Sequence, residues 1–257
     1  MNNVKNNVLE KQGEDIMYKD LAKYYDQIYS DAKDYREESE IIKDLVNEYK
    51  VNFGNALLDV GCGTGMHLKY LKDSFRCTGT DVNEQMLEVA RRNVTDVGLV
   101  EADIVNMNLG VKFDVITCLF GAIGYTKTYQ NLANTLKNFY SHLNSGGVVI
   151  IDGWFTEEQF HEGAVHMKNY ESDELKISRV GYSTVRRNGG DAAISVLEEH
   201  YLIAEKGKGV SYYVDTSELA MFDADRFAES LKNVGFSSAT ILENALMNRN
   251  RYIAVKD

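Results

Sequence analysis

Proline is absent from the 257 residues. No loop is stiffened by a pyrrolidine ring, and turns have to be made by Gly, Asn and Asp. Cysteine is nearly absent as well: Cys62, Cys77 and Cys118 are the three. An odd, sparse set excludes a disulfide framework and fits reduced thiols in a cytoplasmic protein. No run of about 18 apolar residues occurs, so no membrane-spanning helix is expected. The polar start (Asn2, Asn3, Lys5, Asn6, Asn7) lacks the apolar stretch of a secretory signal. Positive charge is in short supply, with 28 Lys+Arg against 39 Asp+Glu and a net charge of −11. A nucleic-acid partner needs a basic face and is not expected.

What is present centres on Leu57-Leu58-Asp59-Val60-Gly61-Cys62-Gly63-Thr64-Gly65. An apolar run leads into three glycines on alternate positions, followed by the helix-compatible Met66–Leu71. The pattern predicts a buried strand, a tight turn and a helix start. Glycine lets the backbone approach a ligand, and the first amides of the helix favour an anionic group. A phosphate-binding P-loop would continue Gly-Lys-Ser/Thr, whereas Gly65 is followed by Met66-His67. A dinucleotide fingerprint would read Gly-x-Gly-x-x-Gly, and Asp59, two residues before the first glycine, would repel a pyrophosphate. Asp59 could instead accept from an ammonium group or order the loop amides. The Asp-x-Gly-x-Gly-x-Gly arrangement resembles motif I of class I S-adenosylmethionine (SAM) methyltransferases. A glycine-rich turn without a ligand is the plain alternative.

Residues 1–16 read as a loose tail without apolar period. Leu21, Tyr24, Tyr25, Ile28 and Tyr29 have helical spacing over Tyr18–Tyr29. Tyr18, Tyr25 and Tyr35 are candidates to roof a cofactor, since a ring face attracts a sulfonium cation. Glu37–Tyr49 is an amphipathic helix. Strands are expected near 56–60, 75–80, 97–101, 113–119 and 148–152, with helices between them. Asp81 stands about 20 positions after the glycine turn, where an acid accepts from ribose hydroxyls. Asp103, at the end of the third strand, can accept from an exocyclic amine, with Ile104 and Met86 as apolar walls. Leu119 ends the central strand beside the same crevice. Tyr125 lies in the loop that follows, where a methyl acceptor should arrive.

From Gly153 the pattern changes. A helix is expected near Glu157–Phe160. Alternating segments follow at Leu175–Val180, Tyr182–Arg186, Ala193–Ile203 and Val210–Val214, separated by Asn188-Gly189-Gly190 and Lys206-Gly207-Lys208-Gly209. That is a hairpin pattern. The reading divides the chain into the tail, a core over 17–152 with a helical cover, an antiparallel lid over 153–219, and a return to the core over 220–257. His161-Glu162 with His166 has the wrong spacing for a helical zinc motif, so no metal site is expected.

In order along the chain, Tyr18, Ala22-Lys23-Tyr24-Tyr25-Asp26, Lys33-Asp34-Tyr35, the glycine motif, Val115–Phe120 with Ile123-Gly124, and Trp154-Phe155 resemble one group. It is the SAM-dependent sugar N,N-dimethyltransferases of macrolide aminosugar pathways, of the desosamine and mycaminose type. The resemblance implies an α/β fold: a Rossmann-like class I methyltransferase with a seven-stranded, mostly parallel sheet and an antiparallel β lid insertion. It implies SAM as cofactor and methylation of a small-molecule amine, such as a nucleotide-linked aminosugar. By matching position it implies Tyr25 and Tyr35 near SAM, Gly61 and Gly63 under its methionyl part, Asp81 on ribose and Asp103 with Ile104 at adenine, and Asp59, Met86 and Leu119 complete the expected cofactor set. Tyr18 would face the acceptor, Arg179 and His200 match the lid and could reach it, and Tyr125 is expected beside it. The sugar enzymes carry histidine after Ile-Gly, where this chain has Tyr125. Another acceptor class (amino acid, carboxylate or hydroxyl) and a non-catalytic SAM-binding module are the rival readings. The expected partner is a small-molecule acceptor and at most a second copy of the chain as a homodimer, with neither nucleic acid nor membrane.

Overall fold

The computed structural model describes residues 9–14, 16–30, 32–187 and 189–257. In chain order the elements are β1 (Leu9–Glu14), α1 (Tyr25–Ile28), α2 (Tyr35–Tyr49), β2 (Ala56–Val60), α3 (Met66–Leu71), β3 (Arg76–Asp81), α4 (Glu84–Asn93), β4 (Gly98–Glu101), β5 (Phe113–Cys118), α5 (Tyr129–His142) and β6 (Leu143–Asp152). Then come β7 (Val165–Glu171), β8 (Leu175–Arg186), β9 (Ala193–Glu205), β10 (Gly209–Met221), α6 (Ala224–Val234), β11 (Ser238–Leu246) and β12 (Arg249–Val255). Without proline, the starts of α2, α5 and α6 rest on side-chain caps. Asp34, Thr128 and Asp223 each accept the backbone N–H three residues on, at the heads of α2, α5 and α6.

Seven strands form one sheet in the order β11-β12-β6-β5-β2-β3-β4, parallel except where β12 meets β6 and β11. Alternation along each central strand feeds two cores. Leu57, Val115, Val148, Ile150 and Ile253 pack with Ile42, Leu68 and Leu87 of α2–α4. Leu58, Ile116, Val149, Ile151 and Tyr252 pack with Leu136, Phe139, Phe227 and Leu231 of α5 and α6. A sheet buried on both faces explains why β2 and β5 read as unbroken apolar runs. The expected α/β fold with a mostly parallel seven-stranded sheet is therefore what the chain adopts.

The second sheet, β1-β10-β9-β8-β7, is antiparallel apart from β1, which runs parallel to β10. This corrects the reading of residues 1–16 as a loose tail. Leu9–Glu14 is an edge strand held through its main chain, a kind of pairing that needs no apolar period. Residues 1–8 lie outside the described residues. Between the two sheets runs a strap, residues 16–30 and 32–34. It was expected to be a helix over Tyr18–Tyr29, but it is a turn, one 3-10 turn (Ala22–Tyr24) and the short α1. Its Ile16, Met17, Leu21 and Tyr24 pack on Ile177, Tyr201 and Ile203 of the lid. The helix expected near Glu157–Phe160 is a turn, and β7 was not foreseen. Leu175–Val180 and Tyr182–Arg186 join into one strand, β8. Residues 144–147, two of them glycine, lie within β6.

Candidate functional site

The glycine turn sits where β2 ends. Gly61 and Gly63 take φ of +70° and +55°, and a Cβ on Gly63 would lie 3.3 Å from Cε of the buried Met86. Asp81, at the end of β3, holds this turn. Its Oδ2 accepts from the Gly63 N–H at 2.9 Å, and its Oδ1 accepts from the Asn83 N–H at 2.9 Å. Burial pushes the Asp81 carboxyl above the usual range, against the pull of those amides.

Asp59 lies deeper. It does not order the loop amides but accepts from Thr117 Oγ1 at 2.8 Å. Burial raises its pKa to about 6. Asp103 is exposed and caps its own loop, accepting from the Val105 N–H at 2.8 Å and Asn106 Nδ2 at 3.1 Å. Ile104 is half-buried beside it, and Leu119 is buried at the end of β5. The carboxyl ends of β2 to β5 thus border one groove, edged by acids and floored by bare backbone.

The strap covers this groove. Thr64 Oγ1 donates to Asp26 at 2.7 Å and Asn93 Nδ2 donates to it at 3.2 Å, clipping strap to turn. Tyr25 packs tilted on Tyr29 with ring centres 4.7 Å apart, and Tyr35 meets His67 edge-on at 5.0 Å. A buried cluster that sequence reasoning missed lies alongside: Glu38 is bonded to Lys33 and, at 2.8 Å, to His67 Nε2. Burial disfavours the Lys33 ammonium and lowers its pKa, with Nζ 4.1 Å from the Phe120 ring centre.

Past Tyr18, Tyr29 and Phe120 opens a chamber of about 450 Å³ under the lid. Tyr18 and Tyr125 meet there, hydroxyl to hydroxyl, at 2.6 Å. Burial pushes both phenols above their ordinary pKa. The lid supplies alternate residues of its strands: Asp215 and Ser217 from β10, Glu199 and Tyr201 from β9, Arg179 from β8, and His166 from β7. Glu199 collects three of them: Arg179 Nη1 at 3.3 Å, His166 Nε2 at 2.8 Å and the Tyr201 hydroxyl at 2.5 Å. Burial disfavours the Glu199 carboxylate, yet these partners outweigh it and hold its pKa below the usual range.

Register explains how β7 and β9 touch although β8 lies between them. His166 and Glu199 both pair with Gly181, and a Cβ there would collide with the imidazole at 2.2 Å. The missing side chain leaves a slot through which His166 reaches Glu199.

His200 is not in this chamber. Strand alternation that points Glu199 and Tyr201 inward turns His200 outward, where it bonds Glu198 at 3.0 Å and lies on the Tyr212 ring. The expectation that His200 reaches the acceptor is corrected on that ground. Sequence reasoning also missed Arg249. It is 2% exposed, lines the chamber, and lies 4.9 Å from the Phe120 and 5.3 Å from the Trp154 ring centres. Its Nε and Nη1 have no hydrogen-bond partner among the described residues. A signal for it existed in Arg249-Asn250-Arg251, which open β12: one arginine pairs with Asp152 at 2.6 Å, and the other lines the chamber.

Among the described residues, no helix is long and apolar enough to cross a membrane. Residues 57–147 match a family described as a methyltransferase domain. Over 238 residues the chain is 32% identical to dTDP-3-amino-3,4,6-trideoxy-alpha-D-glucopyranose N,N-dimethyltransferase of Streptomyces venezuelae, covering 92% of this chain and 98% of that protein. It is 31% identical over 220 residues to dTDP-3-amino-3,6-dideoxy-alpha-D-glucopyranose N,N-dimethyltransferase of Streptomyces fradiae, with 85% and 84% covered. The structure is similar to DesVI of Streptomyces venezuelae, with a TM-score of 0.84, 31% identity, and 92% and 98% covered. It is also similar to SAM-bound CalS10, an amino pentose methyltransferase of Micromonospora echinaspora, with a TM-score of 0.77, 27% identity, and 88% and 92% covered. A glycine turn braced by a strand-end acid, a groove roofed by tyrosines and relatives matched nearly end to end agree: the chain is a SAM-dependent methyltransferase and belongs to the family of the dTDP-aminosugar N,N-dimethyltransferases.

Proposed function

We propose that this enzyme methylates, twice, the amine of a nucleotide-linked aminosugar. The observation that carries the reading is the charge layout of the chamber. Arg249 is a buried guanidinium with two unpartnered nitrogens, and Asp215 and Glu199 are buried carboxylates that line the same chamber. A small acceptor that is anionic at one end and aminated at the other satisfies both. An unpaired buried cation is costly, whereas a bidentate phosphate or carboxylate would satisfy it. Three curated relatives that are 30–32% identical over 85–93% of this chain are N,N-dimethyltransferases of dTDP-linked amino sugars.

The groove fits SAM. Gly61 and Gly63, at φ of +70° and +55°, offer bare backbone to the ligand's methionyl part. In this reading Asp81 accepts from ribose hydroxyls, Asp103 with Ile104 and Met86 takes adenine, and Asp59 and Leu119 lie beneath. Tyr25 and Tyr35 offer ring faces to the sulfonium. When bound, SAM supplies an already activated methyl group. The chain's own residues therefore contribute mainly alignment, which can be worth roughly 7–11 kcal/mol. Tyr18 and Tyr125 orient the nitrogen, while the aromatic walls exclude water.

The test is incubation of the purified enzyme with labelled SAM and a panel of nucleotide-linked 3- and 4-aminosugars, amino acids, carboxylates and phenols. Two successive mass increments of one methyl on an aminosugar are expected. Turnover confined to another acceptor class would overturn the aminosugar reading. SAM binding without turnover in any arm would favour the binding-module alternative.

A further inference from the structure

An alkylammonium has no lone pair, so the acceptor nitrogen must lose a proton before each methylation. This rests on the reading of the acceptor as an amine. Phenols are poor bases near neutral pH, and burial makes Tyr18 and Tyr125 poorer still. Neither hydroxyl stands alone, however. Tyr125 is bonded to Tyr18 at 2.6 Å, and the Ser217 side chain, which lines the same chamber, lowers its pKa as a hydrogen-bonding neighbour. Ser217 Oγ donates to Asp215 Oδ2 at 3.0 Å, and Asp215 Oδ1 accepts from the Met17 N–H at 3.2 Å. All four side chains line the chamber, and Asp215 itself is 2% exposed.

We propose that Tyr125 and Ser217 form a hydroxyl path that carries the acceptor's ammonium proton to the Asp215 carboxylate. The N–H bond breaks as Tyr125 Oη gains that proton. The phenolic proton passes to Ser217 Oγ, whose own proton forms an O–H bond on Asp215 Oδ2. One proton moves from nitrogen to carboxylate, the lone pair is left on nitrogen, and neither hydroxyl carries charge afterwards. A free phenolate is never required, so the raised phenol pKa is no obstacle. Tyr18 holds Tyr125 in register from the far side.

The surroundings suit a carboxylate that must both take and release a proton. Burial raises the Asp215 pKa, the Met17 N–H and Ser217 lower it, and Glu199, directly across on β9, raises it. Glu199 is itself tied to Arg179 on β8 and His166 on β7, besides Tyr201. The strap contributes Tyr18 and Tyr29 to the same wall.

The role is a relay, and its test has to separate proton transfer from mere support of the strap. Rates of Ser217→Ala, Tyr125→Phe and Asp215→Asn are followed against pH with SAM and a dTDP-linked 3-aminosugar. On the acid side of the amine's own pKa each variant should lose roughly 10²-fold. The loss should fade at higher pH, where the amine arrives neutral. A loss equal at all pH values, or none, overturns the path.

A second readout needs no acceptor. The infrared carbonyl band of protonated Asp215, isolated as the difference from Asp215→Asn, should titrate above the usual carboxylate range. It should also shift in both Ser217→Ala and Tyr125→Phe. A band unmoved by Tyr125→Phe overturns the path whatever the acceptor. If the band responds while the wild type leaves the aminosugar unmethylated, it is the acceptor assignment that fails and the path that stands.

Discussion

The groove and the chamber share a wall at Phe120 but are built by different means. The groove is a main-chain device: two glycines at positive φ, amides aimed at Asp81, and one acid at a strand end. The chamber is a cross-strand device: His166, Gly181 and Glu199 come from three strands and meet only because their register aligns them. A site set by backbone geometry admits one ligand and little variation. A site set by alternate side chains of a lid can be rewritten residue by residue. The comparison teaches where this family can change its acceptor without losing its methyl donor.

Four substitutions test that division. The largest effect is expected at the shared wall. Asp152 pairs with Arg251 at 2.6 Å, both buried, while accepting from the Phe120 N–H at 3.1 Å. Arg251→Leu leaves a buried carboxylate unpaired and should cost about 3–5 kcal/mol in denaturant unfolding. If the division holds, groove and chamber should lose function together.

Asp81→Ala comes next, since it removes the acceptor that holds Gly63 and Asn83 N–H groups. A charged hydrogen-bond partner is worth about 1.5–3 kcal/mol, so SAM should bind roughly 10- to 100-fold more weakly by calorimetry. Thermal unfolding without SAM should move far less. Unchanged SAM affinity would remove Asp81 from the groove's working parts.

Asp59→Asn has an effect of opposite sign. Asp59 has a folded pKa of about 6 against an ordinary value of 3.8. Its contribution to stability is full below about pH 4 and is lost as the pH rises through 6. The amide cannot ionise, so the variant should be more stable than wild type at pH 8 by roughly 1–3 kcal/mol. The two should converge near pH 4, while SAM affinity falls if the ionised acid faces the ligand's ammonium. A stability gain that persists at pH 4 would refute the burial explanation.

The smallest effect is expected for His200→Ala, on the outer face of the lid. Stability should stay within about 0.5 kcal/mol and kcat within roughly two-fold. A deep loss of kcat would mean that the inner and outer faces have been assigned the wrong way round.

The legible and illegible parts of the sequence follow the same division. β2 was expected near 56–60 and spans Ala56–Val60, because an apolar run ended by glycines has few alternatives. Asp81 could be picked out because the distance from turn to strand end is fixed by one helix and one strand. In the lid, Glu199-His200-Tyr201 has polar residues on both faces. Period two says that His200 opposes its neighbours, but not which set faces in. The Gly181 slot depends on register, which no local pattern encodes. β1 was missed because its pairing is through the main chain. The 157–160 segment, read as a helix, is too short to form one without tertiary support.

The roof over the acceptor is anchored at its base. Ala192 and Ile194 at the start of β9, with Ala220 and Phe222 at the end of β10, belong to the central core. Trp154 ties in through Ser195 at 2.8 Å. Such a roof is poorly suited to swinging open as one piece. The strap, half-buried and clipped by Asp26 and by the Met17 N–H, is the weaker partition. Traffic of ligands should pass through that doorway, and amide exchange should run faster across 17–34 than across 193–197 and 217–221. Equal protection of the two would place the doorway elsewhere. Because the same segment also roofs the methyl donor, departure of spent cofactor and of product would share a single gate.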